Sequence, residues 1–298
     1  MENTLVVITG ATASGKTAAA VEVASHFGCD VISADSRQIY RGMPIVTAVP
    51  TPEEMRGVTH HFIETLPLDA YYNAARFEAD VMELLPRLFV RNPVAVMCGG
   101  SMMYVDAVTD GIDELPDVNG SVRDYVARIL DNHGLEGVMA QLEIVDPVFA
   151  AEVDRANTKR VVHALEISLA AGSPYSSLRQ GRRKQRPFRI VKVVIDRPRQ
   201  ELFDRINRRV GIMAEKGLVE EARGLYPLRR LNALNTVGLK ELFDHFEGRM
   251  TLDETLARIA KNTRVYAKKQ LTWLGRPGVM PAVPVEAADV AHHIISLL

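Results

Sequence analysis

The 298-residue chain is poor in several things that would fix its class at once. It has two cysteines, Cys29 and Cys98, both in apolar stretches. That is too few for a disulfide framework and is expected of small buried thiols in a reducing compartment. No apolar run approaches the roughly 18 residues of a membrane span. The strand-like TLVVIT begins at Thr4 with no basic leader or cleavage site, so a cytoplasmic protein is expected. The formal net charge is −1, so no global excess advertises a nucleic-acid partner and any such argument must rest on local charge. His60-His61 has no companion His or Cys cluster to suggest a metal site. There is no internal repeat and no low-complexity tract. Hydrophobic residues make up 47% and charged residues 24%, the proportions of a globular chain with a sizeable core.

Against those absences stands the stretch GATASGKT, residues 10–17. Gly10 and Gly15 permit turns that a side chain would obstruct. The N–H groups of such a loop converge on an anion at the start of the following helix. Lys16 then supplies a positive charge and Thr17 a hydroxyl suited to Mg²⁺. The motif specifies a bound polyphosphate without saying whose. LVVIT (5–9) leads into it, and a helix is predicted from Lys16 to about Phe27, stopped by Gly28. Further buried strands are predicted at DVISAD (30–35), PVAVMCGG (93–100) and FRIVKVVID (188–196), with a helix around Phe77–Phe89. Apolar strands alternating with helices predict an α/β fold, a parallel sheet with helices on both faces. Ligands of such sheets sit at the carboxyl ends of the strands, where Thr9, Asp35, Gly99 to Ser101 and Asp196 fall.

ATPases of this class usually hold Mg²⁺ through an Asp ending a second strand. VAVMC instead runs into Gly99-Gly100-Ser101 with no acid. The acid at a strand end is Asp35, in ADSRQIYRGM. Three roles are open to it: holding Mg²⁺ through water, taking a proton from an acceptor, or capping a turn over Ser36–Tyr40.

Between the third and fourth predicted strands the composition changes. Residues 113–154 carry ten acids and two bases, Arg123 and Arg128. A helix is predicted over 155–171, ended by Gly172-Ser173-Pro174. RQGRRKQRPFRIVK (179–192) then has seven Arg or Lys and no acid. The expected organisation is a core of residues 1–112 and 188–298 with a helical insertion, 113–187, whose exit is a basic arm. The remainder of the chain reads as helical. In RIAKNTRVYAKKQLTWL (258–274), Ile259, Tyr266, Gln270 and Trp273 share a face, beside a basic stripe of Arg258, Lys261, Arg264 and Lys268. Tyr266 and Trp273 are expected in the core.

These stretches resemble, in order, the motifs of the bacterial tRNA dimethylallyltransferases. GATASGKT is similar to that family's GPTASGKT, DSRQIYRGM (35–43) to DSxQxYxGM, and GGSMMY (99–104) to GGTGLY. PTPEE (51–55) and HHFIE (60–64) fit its next stretch. NTKRVVHALE (157–166) resembles NxxRxxRALE, and RINRRVGIMAEKGLVEEA (205–222) resembles the RIxxRxxxMxxxGLxEE helix. VGLKEL (237–242) and TRVYAKKQLTW (263–273) resemble IGYKE and TRxYAKRQxTW. The chain departs at Ala11, where the family has Pro, at Ser101-Met102-Met103, at residues 45–50, and at His163, where Arg is common. Eukaryotic relatives append a zinc finger, so this chain looks bacterial in type.

The resemblance implies a P-loop NTPase-like core and a monomeric prenyltransferase. The phosphates would be those of dimethylallyl diphosphate and the acceptor N6 of adenosine 37 in the tRNA anticodon stem-loop. By that likeness Gly10, Ala11, Thr12, Ala13, Ser14, Gly15, Lys16, Thr17 and Arg209 bind diphosphate. Thr17 holds Mg²⁺, and Asp35, Ser101, Lys16 and Arg209 are catalytic. Asp35 would be the general base, Ser101 would approach the bridging oxygen and the base, and Arg208 would face solvent. Contacts to tRNA are implied for Asp35, Ser36, Arg37, Gln38, Ser101, Arg123, Lys159, Arg160, Val161, Val162, His163, Arg264, Lys268, Lys269 and Gln270, with phosphate contacts from the arm at 179–189. Two other readings use the same loop: a small-molecule kinase, which needs no basic arm, and a nucleotide-switched RNA-binding module, which needs nucleotide-sensing loops.

Overall fold

The computed structural model describes residues 2–181, 183–276, 283–286 and 289–298. The chain divides into two compact units, one of residues 1–110 with 185–298 and one of residues 111–184.

The first unit opens with β1 (Thr4–Thr9), α1 (Lys16–Phe27), β2 (Val31–Ser33), two single turns α2 (Pro44–Thr47) and α3 (Pro52–Met55), β3 (His60–His61), α4 (Ala74–Arg91), β4 (Val94–Cys98) and α5 (Met102–Thr109). The second unit holds α6 (Gly120–Val145), α7 (Pro147–Glu152), α8 (Thr158–Ala171) and α9 (Tyr175–Leu178). The first unit resumes with β5 (Arg189–Asp196), α10 (Arg199–Glu215), α11 (Leu218–Leu225), α12 (Leu239–Phe246), α13 (Leu252–Leu274), β6 (Val283–Glu286) and α14 (Val290–Leu297).

The six strands form a parallel sheet in the order β3-β2-β4-β1-β5-β6. β1 lies at its centre and is buried on both faces, as its unbroken apolar run requires. Val6, Ile8, Val96, Val193 and Ile195 pack with Ala20 and Val23 of α1 and Ile294 of α14. The four predicted strands are the four inner ones. The two edge strands lack the signal used to find the others. β3 is only His60-His61, and β6 carries Pro284, which a sheet tolerates at its edge. His60 Nδ1 pairs with the Val58 carbonyl at 2.9 Å, and His61 Nε2 with Asp30 Oδ2 at 2.9 Å. A further cluster joins Ile39, Tyr40 and Met43 to Leu218, Leu239, Leu242 and Ile259, tying the segment after β2 to α11, α12 and α13.

The second unit has its own core of Val126, Val138, Leu142, Phe149, Val161, Ala164 and Leu165. Its helices carry their own start and stop signals. The Asn119 side chain caps α6 and the Asn157 side chain caps α8, while Gly172 ends α8 in a left-handed conformation. α6 is interrupted at Gly134, whose φ is 64°. No described helix is long and apolar enough to cross a membrane.

Candidate active site

The phosphate loop joins β1 to α1. Gly10, Ala13 and Gly15 all take positive φ, 153°, 64° and 105°. A Cβ on Gly10 would lie 3.0 Å from Ser14 Oγ and 3.2 Å from the Ile195 carbonyl oxygen, so glycine is needed there for space. A run of such residues before a helix N-terminus is the backbone pattern that turns successive N–H groups toward an anion.

Side chains from distant parts of the chain fix this loop from outside. Arg197 Nε donates to the Ser14 carbonyl at 3.0 Å and Arg205 Nε to the Ala13 carbonyl at 2.8 Å. The Thr12 N–H donates to Gln270 Oε1 at 2.8 Å. Ala267 packs against Ala11 together with Leu202 and Ile206, so α10 and α13 both rest on the loop. Within the loop, Lys16 Nζ donates to the Ala11 carbonyl at 2.7 Å. Burial lowers the Lys16 pKa to about 8; Arg209 pushes the same way, while Cys98 and Asp35 oppose it. Burial likewise pushes the neighbouring Cys98 thiol up to about 11.

Asp35 follows β2. Its Oδ1 accepts from the N–H groups of Arg37 at 2.8 Å and Gln38 at 3.2 Å, so it does cap the turn that follows it. Oδ2 makes no hydrogen bond among the described residues. The Gly99-Gly100 turn closes against the same segment. A Cβ on Gly99 would fall 2.2 Å from the Ala34 carbonyl oxygen, and one on Gly100 2.5 Å from Gln270 Nε2. Ser101 stands immediately before α5 and is buried. Its Oγ accepts from the Ser36 N–H at 2.8 Å and donates to Ser36 Oγ at 3.2 Å. Gln270 Nε2 donates to the Gly100 carbonyl at 2.8 Å. The phosphate loop, Asp35–Ser36, Gly99–Ser101 and Gln270 therefore form one connected network.

Arg209 completes the charged set. Burial lowers its pKa, opposed by the charges of Asp35 and Glu54. The charges of Asp35, Lys16 and Arg209 thus reach one another, one carboxylate and two cations. Arg208, the next residue round α10 and so pointing elsewhere, is exposed.

Several residues expected at an RNA surface do other work. Arg37 donates to the carbonyls of Asn232, Ala233 and Asn235. Gln38 donates to those of Thr47 and Ala48 and accepts from Ser33 Oγ. Gln270 is 3% exposed, with both ends of its amide bonded inside the protein. Val161 is fully buried in the helical unit. Arg264 bonds Asn207. In the basic arm, Arg186 is buried in an ion pair with Glu78 at 2.6 Å and also donates to the Ala107 and Val108 carbonyls. Lys184 pairs with Glu114 at 3.7 Å, and Arg182 lies outside the described residues. Lys159, Arg160, His163, Lys268 and Lys269 are exposed, while Arg123 and Val162 are half-buried. Trp273 is in the core as expected, its indole N–H donating to Asp106, but Tyr266 is 36% exposed.

Arg197, Arg205 and the loop-fixing role of Gln270 are not evident from the motifs. A trace of the arginines is present in the sequence, because Arg205 and Arg209 stand four apart and so share a helix face.

The chain matches the model of the IPP transferase family over residues 38–277, beginning just after the phosphate loop and Asp35. It is 50% identical over 293 residues to a tRNA dimethylallyltransferase 2 of Parabacteroides distasonis, covering 98% of each chain. It is 47% identical over 276 residues to a tRNA dimethylallyltransferase 1 of Phocaeicola vulgatus, covering 93% of this chain and 92% of that one. Its fold is similar to the crystal structure of a tRNA isopentenylpyrophosphate transferase from Bacillus halodurans, with a TM-score of 0.70, 32% identity and coverage of 99% and 96%. A eukaryotic dimethylallyltransferase acting on tRNA shares the fold with a TM-score of 0.83 at 22% identity, over 99% of this chain and 78% of that one.

Proposed function

The chain belongs to the IPP transferase family, the tRNA dimethylallyltransferases, and from that premise we propose that it transfers a dimethylallyl group from dimethylallyl diphosphate to N6 of adenosine 37 in tRNA, releasing diphosphate. The observation that carries the reading is the hydrogen-bonded network that joins the phosphate loop, Gly99–Ser101 and the Asp35–Ser36 segment, with the charge of Asp35 felt at both Lys16 and Arg209. The strand that would bring a metal-binding acid in a kinase, β4, ends instead in Cys98-Gly99-Gly100.

Each residue then has a task. The exocyclic amine is a weak nucleophile because its lone pair is delocalised into the ring. Asp35 accepts the N6 proton as the nitrogen attacks the allylic C1. The C1–O bond breaks and its electron pair stays on the bridging oxygen. Loop N–H groups, the Lys16 ammonium and Arg209 surround that growing charge, the kind of preorganised stabilisation that contributes most to such reactions. Ser101 acts by holding Ser36, and hence the Asp35 segment, in place.

Thr17 stands at the second position of α1, where its hydroxyl suits Mg²⁺. The Thr17 hydroxyl is an oxygen donor of the kind a small hard cation takes, and it would hold Mg²⁺ there. When bound, Mg²⁺ would neutralise charge on the diphosphate. The exposed Lys159, Arg160, Lys268 and Lys269 are the side chains proposed to meet RNA phosphates, with His163, whose pKa burial lowers, as an uncharged neighbour. The enzyme is proposed to act as a monomer in the cytoplasm.

A binding titration separates this from phosphoryl transfer. Dimethylallyl diphosphate should bind the wild-type protein and lose affinity in Lys16→Ala, while ATP binds poorly to both. Tight ATP binding that phosphorylates an added small acceptor would favour the kinase reading.

A further inference from the structure

Three tyrosines surround the Asp35 segment, and they are not equivalent. Tyr40 is 3% exposed and its hydroxyl donates to the Ala70 carbonyl. Tyr104 is 6% exposed and stacks on Phe77 with ring centroids 4.4 Å apart. Both rings are spent inside the core. Tyr266 is 36% exposed, on α13, one of the two helices that rest on the phosphate loop.

The register of α13 places that ring. Toward its N-terminal half, Ile259 packs with Ile39 and Tyr40. Toward its C-terminal half, Gln270 bonds Thr12 and Gly100. Tyr266 lies between them on nearly the same face, two turns after Ile259 and one turn before Gln270. Helical side chains lean toward the N-terminus, so the phenol projects from the Gln270 end toward residues 35–40. Partial burial raises the pKa of the phenol, and the charges of Asp35 and Arg37 reach it with opposite sign. Arg37 itself cannot serve as a stacking plane without giving up its three backbone carbonyls.

We propose that the ring of Tyr266 is the platform on which the acceptor base stacks while its amine reaches Asp35. The proposal rests on the reaction proposed above and adds a base-binding residue to it. A base must leave its own stack before an enzyme can work on it, and an aromatic face replaces the lost stacking. Ring and hydroxyl separate cleanly: Tyr266→Phe keeps the platform and Tyr266→Leu removes it.

The test uses the full-length protein and an anticodon stem-loop RNA carrying 2-aminopurine at position 37, whose fluorescence falls on stacking. Dimethylallyl diphosphate affinity and single-turnover transfer to the unlabelled adenosine RNA are measured alongside. Wild type and Tyr266→Phe should quench the fluorophore. Tyr266→Leu should not, and should bind RNA roughly 5- to 150-fold more weakly, the range of one base–aromatic stack, with dimethylallyl diphosphate affinity unchanged. Quenching and RNA affinity in Tyr266→Leu equal to wild type would overturn the proposal. So would an equal loss of dimethylallyl diphosphate affinity, which would make Tyr266 a support of the loop. If the wild type quenches but forms no N6-dimethylallyladenosine, the base platform stands and the reaction reading falls.

Discussion

The side chain of Gln270 accepts a hydrogen bond from the backbone N–H of Thr12 at 2.8 Å while donating one to the Gly100 carbonyl at 2.8 Å. One buried amide thus sets the spacing between the phosphate loop and the turn that leads to Ser101. Gln270→Leu leaves a donor and an acceptor unpaired, at about 1–3 kcal/mol each. The variant should melt earlier and bind dimethylallyl diphosphate at least tenfold more weakly. Its RNA affinity should be nearly unchanged, because the side chain is buried away from any RNA. Thermal melting with two separate binding titrations checks this.

Asp35 caps the turn that follows it and is proposed as the general base, two roles that one substitution can separate. Asparagine keeps an oxygen for the N–H groups of Arg37 and Gln38 but cannot take a proton from an amine. Asp35→Asn should therefore retain wild-type stability and RNA affinity and lose about 10²–10⁴ in single-turnover rate. A wild-type rate in this variant would remove the general base from the mechanism.

Lys16 gives a pH dependence with a definite sign. Its folded-state pKa, about 8, lies below the ordinary 10.5. Above about pH 8 the ligand-free protein must take up a proton to present an ammonium to diphosphate. Affinity should then be flat below that pH and fall toward tenfold per unit above it. Calorimetric titration from about pH 6 to about pH 10 measures the slope, and Lys16→Arg should abolish it because guanidinium stays charged. The same depressed pKa means that the buried ammonium costs stability below pH 8 and relaxes as pH rises toward 10.5. Lys16→Met should accordingly bind diphosphate poorly yet melt higher than wild type at neutral pH.

The basic arm divides by burial. Arg186→Ala removes one partner of a buried pair with Glu78 and should destabilise by about 3–5 kcal/mol. Replacing Arg183 and Lys184 together by alanine should lower the melting temperature far less. It should flatten the salt dependence of RNA binding by about 0.7 in log–log slope for each phosphate that is no longer neutralised. An unchanged slope would leave those two residues to their contacts within the protein.

What the sequence makes legible follows from which signals are local. The loop, its helix and the inner strands are written in short windows, because Gly10, Lys16 and an apolar run each act on their immediate surroundings. β3 escapes because two histidines at an edge have no periodicity to detect. At the site, Asp35 and Lys16 stand in recognisable motifs. The uses of Arg37, Gln38 and Gln270 depend on carbonyls and N–H groups far away in the chain, and a polar side chain in a motif looks the same whether it meets a ligand or a distant backbone. The same ambiguity hides the structural role of Arg186, whose ion-pair partner lies over 100 residues earlier. Tyr266 differs from expectation in the opposite sense, since helical spacing alone cannot tell a core position from a partly exposed one that flanks it.

The central claim is that the phosphate loop serves allyl transfer to a tRNA base. Its most direct test is mass analysis of nucleosides from unmodified tRNA incubated with the protein and either dimethylallyl diphosphate or ATP. The account predicts N6-dimethylallyladenosine at position 37 with dimethylallyl diphosphate, its loss in Asp35→Asn, and no product with ATP. Unmodified adenosine 37 in the presence of dimethylallyl diphosphate, with phosphoryl transfer from ATP to a small molecule, would contradict it.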